Sequence, residues 1–165
     1  MKSAVELKAF HFRIDDLLSL HQFTMTVKDV IETTTGDSFE VELDKQATDN
    51  FGSYATGYRC FLKSKKNQKE LYVYFGAIYS NKKKPGIFAE VDQNSNLEHF
   101  VQVRDNILPS ELYELNKEES AFVKIFLTPE QHEAVMEKTS VMSQAALLRS
   151  FFTCVCEAFI NTLNK

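Results

Sequence analysis

The chain has 165 residues, of which 44% are hydrophobic, 12% aromatic and 25% charged. These values are typical of a globular protein and exclude a disordered chain, a collagen-like repeat and a large multi-domain assembly. We therefore expect a single domain over residues 1–165, in which folding buries roughly two-thirds of the surface of the unfolded chain.

The formal net charge of −4 conceals an uneven distribution of charge. The window from Arg59 to Lys84 holds eight basic residues and one acidic residue, Glu70, so it carries +7 while the rest of the chain carries −11. A basic segment inside an acidic protein makes a phosphate-bearing partner one candidate.

Cysteine usage and hydropathy predict a soluble, cytoplasmic protein. The cysteines are Cys60, Cys154 and Cys156. This odd, low count without disulfide-framework spacing is typical of a reducing compartment. The N-terminal residues lack the apolar run of a signal peptide. Arg149 and Glu157 interrupt the most apolar stretch, Ala145–Leu163, so we do not expect a membrane span.

The N-terminal part of the chain mixes strand and helix patterns. Alternating apolar residues favour a strand that ends near Ile14, although the same residues also fit one face of a helix. A short helix is predicted over Val27–Thr33, with Thr26 as its N-cap and Gly36 beyond its end. Alternation over Ser38–Leu43 predicts another strand.

The middle of the chain predicts an antiparallel meander of three strands. The strand-like runs are Tyr54–Ser64, Leu71–Ser80 and Ile87–Asp92. Because only short polar segments separate them, consecutive strands should pair antiparallel.

A register in which paired residue numbers add to about 135 and about 166 places only apolar and aromatic residues on one face of this meander. The face comprises Tyr58, Cys60, Leu62, Val73, Phe75, Ala77, Tyr79, Ile87, Ala89 and Val91. A slip of one residue would bring charges into this set, so we expect it to be the core face.

The C-terminal half predicts two further strands and two helices. Residues 96–107 fit either a short helix or a loop, and strands are predicted over Leu112–Leu115 and Phe122–Leu127, the second in the sheet interior. The dipeptide Thr128-Pro129 is a helix start, and this helix should run to about Lys138.

A long helix is predicted over residues 141–163. Its polar residues recur every fourth position and form one narrow stripe, Arg149, Thr153, Glu157 and Asn161. The remaining sides are apolar, so either the sheet and another helix cover them, or a second copy of the chain does. Together these elements predict an α+β fold, a mainly antiparallel sheet with helices mostly C-terminal.

The opposite face of the meander combines aromatic rings and cations. It should present Arg59, Phe61, Lys63, Tyr72, Tyr74, Gly76, Phe88, Glu90 and Asp92, with Lys63 opposite Tyr72 and Phe61 opposite Tyr74. Rings beside cations bind the bases and phosphates of single-stranded nucleic acids. The alternative is a covered face, on which the stems of arginine and lysine lie over the rings.

Lysines cluster in the two turns of the meander. The first turn holds Lys65, Lys66 and Lys69, and the second holds Lys82, Lys83 and Lys84. At ~3.3 Å per residue the middle strand separates them by roughly 30 Å, so they form two basic sites and not one groove. They either contact phosphate or only keep the sheet ends soluble.

Catalytic motifs are missing from the sequence. Glu90 and Asp92 point to the same side of a strand and form a weak candidate pair for Mg²⁺, but the lysine that a restriction-type nuclease needs is not in this run. The histidines His11, His21, His99 and His132 are scattered. The chain has no nucleophile elbow, P-loop or dinucleotide fingerprint, so we predict no cofactor and lean against an enzyme.

The function that we expect is therefore binding without catalysis. The chain would act as a regulator, inhibitor or accessory subunit through protein–protein contacts, including self-association through residues 141–163. The alternative is a nucleic-acid-associated protein that uses the lysine turns together with Arg59, Phe61, Lys63, Tyr72 and Tyr74. A metal-dependent nuclease at Glu90 and Asp92 is the third hypothesis.

Overall fold

A six-stranded antiparallel sheet forms the centre of the computed structural model, which describes residues 22, 25–33, 36, 38–44, 55–78, 86–92, 96–117, 121–137 and 141–165. In chain order the elements are α1 (25–33), β1 (Phe39–Leu43), β2 (Ala55–Ser64), β3 (Glu70–Ile78), β4 (Gly86–Asp92), α2 (Leu97–Asn106), β5 (Tyr113–Asn116), β6 (Phe122–Leu127), α3 (Pro129–Glu137) and α4 (Val141–Leu163). The predicted α+β class is confirmed. The predicted strand near Ile14 and the lysines Lys82, Lys83 and Lys84 lie outside the described residues.

The strands follow the spatial order β1-β2-β3-β4-β6-β5, and every neighbouring pair is antiparallel. The predicted meander is therefore present as β2, β3 and β4. The strand β6 lies between β4 and β5, in the interior of the sheet as predicted.

The pairing register of the meander differs from the prediction by two residues. Leu62 pairs with Leu71, and Phe75 pairs with Ala89, so the sums are 133 and 164. The first turn is tighter than expected because the Ser64 amide donates to the Lys69 carbonyl at 2.7 Å. Gln68 adopts a φ of 59°, the left-handed conformation that permits this turn.

A shift of two residues keeps every side chain on its predicted face. The core face is therefore confirmed wherever it is described, while Tyr79 lies outside the described residues. Cys60, Leu62, Val73 and Phe75 are fully buried, and Tyr58 is half-buried. The individual cross-strand neighbours were predicted wrongly.

The long helix α4 covers the core face. The ring of Phe152 meets Phe75 edge-on at a centroid distance of 5.4 Å, and both side chains are fully buried. Burial of each such ring stabilises the fold by roughly 1.5–3 kcal/mol. The helices α2 and α3 pack against α4, so its predicted packing across the sheet and against other helices is confirmed.

By length and composition alone, the segment Met142–Leu163 could cross a membrane. Core helices of soluble proteins meet the same criteria, and 44% of its apolar window is buried inside this protein. The exposed positions along α4 include Arg149, Glu157 and Asn161, which belong to the predicted polar stripe.

The helix starts were predicted with mixed success. Thr128 caps α3 as expected, because its Oγ1 accepts a hydrogen bond from the Gln131 amide at 3.4 Å. Residues 96–107 form a helix and not a loop, with Asn96 as the N-cap. Thr26 is not an N-cap, because its hydroxyl donates to the carbonyl of Gln22 one helical turn earlier.

Candidate functional site

The face of the sheet opposite the core, called here the second face, brings most of the predicted site residues together. In the observed register Phe61 lies opposite Tyr72, and Arg59 lies opposite Tyr74. The predicted pairs, Lys63 with Tyr72 and Phe61 with Tyr74, are wrong because the tight first turn moves each partner by two positions. Lys63 instead lies opposite Glu70.

Phe61 and Tyr72 form a pair of aromatic rings, called here the ring pair, in the β1–β3 part of the second face. Their centroids are 4.7 Å apart, their planes are tilted by 43°, and both side chains are half-buried. Cross-strand aromatic pairs of this kind stabilise a sheet and present a broad apolar surface.

Carboxylates surround the ring pair. The hydroxyl of Tyr72 donates to Asp44 Oδ2 at 2.6 Å, and Glu42 lies opposite Phe61 in the β1–β2 register. Asp92 ends β4 next to the Val73–Val91 pair, which places it beside Tyr72. The ring pair is therefore bordered by acidic groups that come from two different strands.

These groups raise the pKa of the Tyr72 hydroxyl well above its ordinary value. Burial is the largest cause, followed by the hydrogen bond to Asp44 and the negative charges of Asp44 and Asp92, while Arg59 acts in the opposite direction. The acidic neighbours therefore make ionisation of the Tyr72 hydroxyl unfavourable.

Two of the predicted binding residues, Arg59 and Lys63, already have neighbours of their own within the sheet. The guanidinium of Arg59 lies 4.3 Å from the centroid of the Tyr74 ring, a cation–π contact. Lys63 lies between Glu40 of β1 and Glu70 of β3 in the strand register. Arg59 therefore has an aromatic partner, and Lys63 has two acidic neighbours in the register.

Tyr74 belongs to a buried part of the second face. Only 6% of Tyr74 and 2% of Phe88 is exposed, and their rings meet edge-on at 5.1 Å. Ile78 and Phe126 complete this apolar cluster. The second face is thus divided, with Tyr74 and Phe88 in a covered part and the ring pair of Phe61 and Tyr72 in a half-exposed part.

Glu90 meets a lysine that the sequence analysis did not associate with it. Lys124 of β6 lies opposite Glu90, with Nζ 3.4 Å from Oε2, and the two side chains are 14% and 15% exposed. Burial raises the pKa of Glu90, and the charge of Lys124 lowers it by a smaller amount. The two-residue period of a strand could have placed Lys124 on this face. Its pairing with Glu90 could not be predicted, because the neighbours of β6 in the sheet are not evident from the local sequence.

The carboxylates of the second face outnumber its cations. The described acidic residues on it are Glu40, Glu42, Asp44, Glu70, Glu90, Asp92 and Glu114, and the described basic residues are Arg59, Lys63 and Lys124. This face is therefore acidic, although part of it comes from the most basic window of the sequence. Among the residues that the structure describes, no three or more histidine, cysteine or acidic side chains are grouped to hold a metal ion.

The first turn of the meander uses its polar side chains to join helix ends. Lys65 Nζ donates to the Gly36 carbonyl at 2.5 Å, just beyond α1, and Asn67 Nδ2 donates to the Leu163 carbonyl at 2.9 Å, at the end of α4. Cations and amide donors favour such helix C-termini, where carbonyl groups lack partners.

The other two lysines of this turn differ in their surroundings. Lys69 Nζ donates to Gln102 Oε1 of α2 at 2.9 Å, whereas Lys66 is exposed. A cleft of about 320 Å³ lies beside the turn and is lined by Ser38, Phe39, Ser64, Lys65, Lys66, Ile160 and Asn164. Two of the three basic groups in the turn thus have structural hydrogen bonds.

The cysteines and His99 do not form a reactive cluster. All three thiols are free, and burial raises the pKa of Cys156 to about 12 and that of Cys60 further. Such thiols stay protonated and unreactive at neutral pH. His99 Nδ1 lies 3.1 Å from the Glu70 amide nitrogen and 3.0 Å from its carbonyl oxygen, a contact between α2 and β3.

Comparisons with protein-family models, with curated proteins and with solved structures give no match for this chain. The geometry and charge of the second face are therefore the basis on which function can be argued.

Proposed function

We propose that this chain is a non-catalytic interaction protein that binds a basic segment of a partner protein on its second face. The observation on which the proposal depends is the half-exposed ring pair of Phe61 and Tyr72, bordered by Glu42, Asp44 and Asp92. A lysine or arginine side chain fits this combination, because its apolar stem can lie on a ring while its charge meets carboxylates.

The expected strength of such contacts is moderate. A cation over an aromatic ring contributes about 0.5–1 kcal/mol at an exposed site and about 2 kcal/mol when water is excluded. Tyrosine is also among the residues that most often supply much of the binding free energy at protein interfaces. A reversible complex therefore needs several such contacts, because a Kd of 1 mM already corresponds to about 4 kcal/mol.

The charge of the second face favours a protein partner over a nucleic acid. Nucleic acids bind where cations neutralise phosphates, whereas the carboxylates around the ring pair repel them. Arg59 already lies on the Tyr74 ring, and Lys63 lies between glutamates. The basic surface that the nucleic-acid hypothesis requires is therefore not supplied by these two residues.

Two further expectations stay predictions. Cytoplasmic location still depends on the cysteine pattern of the sequence. Self-association through residues 141–163 would have to use the exposed side of α4, where Arg149, Glu157 and Asn161 lie. Three polar side chains would therefore belong to any such interface.

A nuclear magnetic resonance titration tests the proposed function. The probes are a blocked peptide of alternating lysine and glycine, the same peptide with glutamate in place of lysine, and a single-stranded thymidine oligonucleotide. We expect only the basic peptide to shift the amide signals of Glu42, Phe61 and Tyr72. Binding of the oligonucleotide to these residues, or no binding by the basic peptide at low salt, would contradict the proposal.

Charge-neutral variants refine this test. Glu42→Gln and Asp92→Asn should each weaken binding of the basic peptide by up to about fivefold, since each removes one partly exposed ion pair. Glu130→Gln is the matched control, because Glu130 is an exposed residue of the helix α3 and not of a strand. Equal losses in all three variants would mean that only the overall charge of the protein matters.

A further inference from the structure

The strand β1 lies at one edge of the sheet, and its hydrogen-bonding pattern shows which backbone groups face outward. The Asp44 amide donates to the Arg59 carbonyl, and the Lys65 amide donates to the Ser38 carbonyl, both at 3.0 Å. In an antiparallel pair, only alternate residues bond to the neighbouring strand. Even-numbered residues of β1 therefore bond to β2, and odd-numbered residues direct their N–H and C=O groups away from the sheet.

The outward-facing residues of β1 are Phe39, Val41 and Leu43. In the part of the chain that the structure describes, their outward N–H and C=O groups make no hydrogen bond. Unpaired groups along a strand edge are a ready template for another strand.

The opposite edge of the sheet, β5, is different. The Thr128 amide donates to the Leu112 carbonyl at 3.3 Å, so Tyr113 and Leu115 are the outward residues of β5. The Tyr113 amide already donates to the Ser110 carbonyl at 3.4 Å within a local turn. This turn shortens the free edge of β5, and β1 is the longer edge with outward groups to offer.

The side chains of β1 specify what an added strand should carry. Glu40 and Glu42 are exposed on the second face, whereas Val41 and Leu43 are half-buried on the core face. A strand beside β1 would therefore place alternate side chains next to carboxylates and next to apolar groups. Basic residues fit the first set of positions, and valine or leucine fits the second.

We propose that the basic partner segment binds as an additional antiparallel strand at the β1 edge, with lysine or arginine alternating with apolar residues. This inference rests on the proposed function and specifies how the partner is held. Backbone hydrogen bonds to Phe39, Val41 and Leu43 supply affinity, and the alternation of side chains supplies specificity. Its basic side chains lie beside Glu40 and Glu42 of β1, and β1 separates them from Phe61 of the ring pair.

Backbone methylation of a probe peptide tests this arrangement on the unmodified protein. The probe is an acetylated and amidated peptide with four Lys-Val repeats. In an antiparallel strand the valines share the core face with Val41, so the valine N–H groups point toward β1 and the lysine N–H groups point away. Methylating the valine amides should weaken binding at least tenfold, while methylating the lysine amides should change it less than twofold.

The outcomes separate the binding mode from the function. Equal effects of the two methylations, or a loss confined to the lysine-methylated peptide, would overturn antiparallel strand addition while the proposed function stands. Binding of the lysine-glycine peptide without binding of the Lys-Val peptide would do the same. Failure of both basic peptides would overturn the proposed function itself.

A proline in β1 provides the complementary change in the protein. Val41→Pro removes one outward N–H group and no hydrogen bond to β2, an arrangement that edge strands tolerate. We expect the Lys-Val peptide to bind roughly tenfold more weakly. Leu115→Pro is the matched control, because Leu115 is also a half-buried, outward residue of an edge strand. An equal loss in both variants would overturn the assignment to β1, and thermal melting verifies that each variant is folded.

Discussion

The ammonium group of Lys124 lies 3.4 Å from the carboxylate of Glu90, across neighbouring strands that are far apart in the chain. The two side chains are largely buried, with only 14% and 15% of their surface exposed. For an ion pair this buried, the cost of removing two charges from water competes with their attraction. The two residues therefore make the stability of the sheet sensitive to pH and to loss of either charge.

Glu90→Gln should alter the pH dependence of stability. Burial raises the pKa of Glu90 in the folded protein above its ordinary value of 4.5. A raised folded-state pKa contributes stability below the unfolded pKa, and this contribution disappears as the pH rises through the folded pKa. As the pH rises through the folded-state pKa, the wild type loses this contribution and the variant does not, so the difference in free energy of unfolding should shift toward the variant.

Urea unfolding of both proteins at several pH values measures this difference. The free energies of unfolding should diverge in favour of Glu90→Gln as the pH increases. Divergence in the opposite direction would mean that the attraction of Lys124 exceeds the cost of burial.

Lys124→Met should destabilise the fold by about 3–5 kcal/mol, because it leaves the Glu90 carboxylate buried without its cation. The double variant Glu90→Gln with Lys124→Met should recover much of this loss. Chemical denaturation of the two single variants and the double variant measures the coupling. Additive losses would show that the pair is not coupled.

Gly57→Ala should destabilise the sheet by about 3 kcal/mol. Gly57 lies opposite Gly76, and a Cβ at this position would lie 2.6 Å from the Gly76 Cα and closer still to the Phe75 carbonyl. The neighbouring backbone cannot move aside without disturbing the β2–β3 ladder.

Gly86→Ala is the control for Gly57→Ala. Its nearest neighbour would be Phe126 Cδ1 at 3.5 Å, an ordinary van der Waals distance. We expect a change within about 1 kcal/mol in thermal or chemical unfolding. A similar cost at both positions would contradict the close approach of β2 and β3 at Gly57.

Cys154 should be the only thiol that reacts rapidly in the folded protein. Cys60 and Cys156 are fully buried with raised pKa values, whereas Cys154 is half-buried, with its sulfur 3.6 Å from Ser110 Oγ. A thiol-specific reagent should therefore modify one site before unfolding and all three afterwards. Cys154→Ser should abolish the rapid phase, and rapid labelling that persists in this variant would show that a core thiol is accessible.

The faces of the meander could be predicted from sequence because any odd shift would place charged residues such as Arg59 in the core. The pairing partners could not, because the turn depends on Gln68 in a left-handed conformation, and no glycine marks that position. The predicted pair of Phe61 with Tyr74 failed for this reason.

The charge of the second face was missed for a different reason. Its acidic residues Glu40 and Glu42 belong to β1, Asp44 directly follows β1, and the sequence does not reveal that β1 pairs with β2. Lys124 was likewise separated from Glu90 by a helix and another strand. Such non-local pairings determine the neighbours of a side chain without leaving a local pattern.

The hydrogen bond between Asn67 and the Leu163 carbonyl joins positions separated by 96 residues. During synthesis the meander emerges long before α4, so Phe75 has no Phe152 to pack against for most of that time. The apolar face of the nascent sheet then stays open to other apolar surfaces. A ribosome-bound chain that stops before α4 is therefore the form of this protein that most needs protection from aggregation.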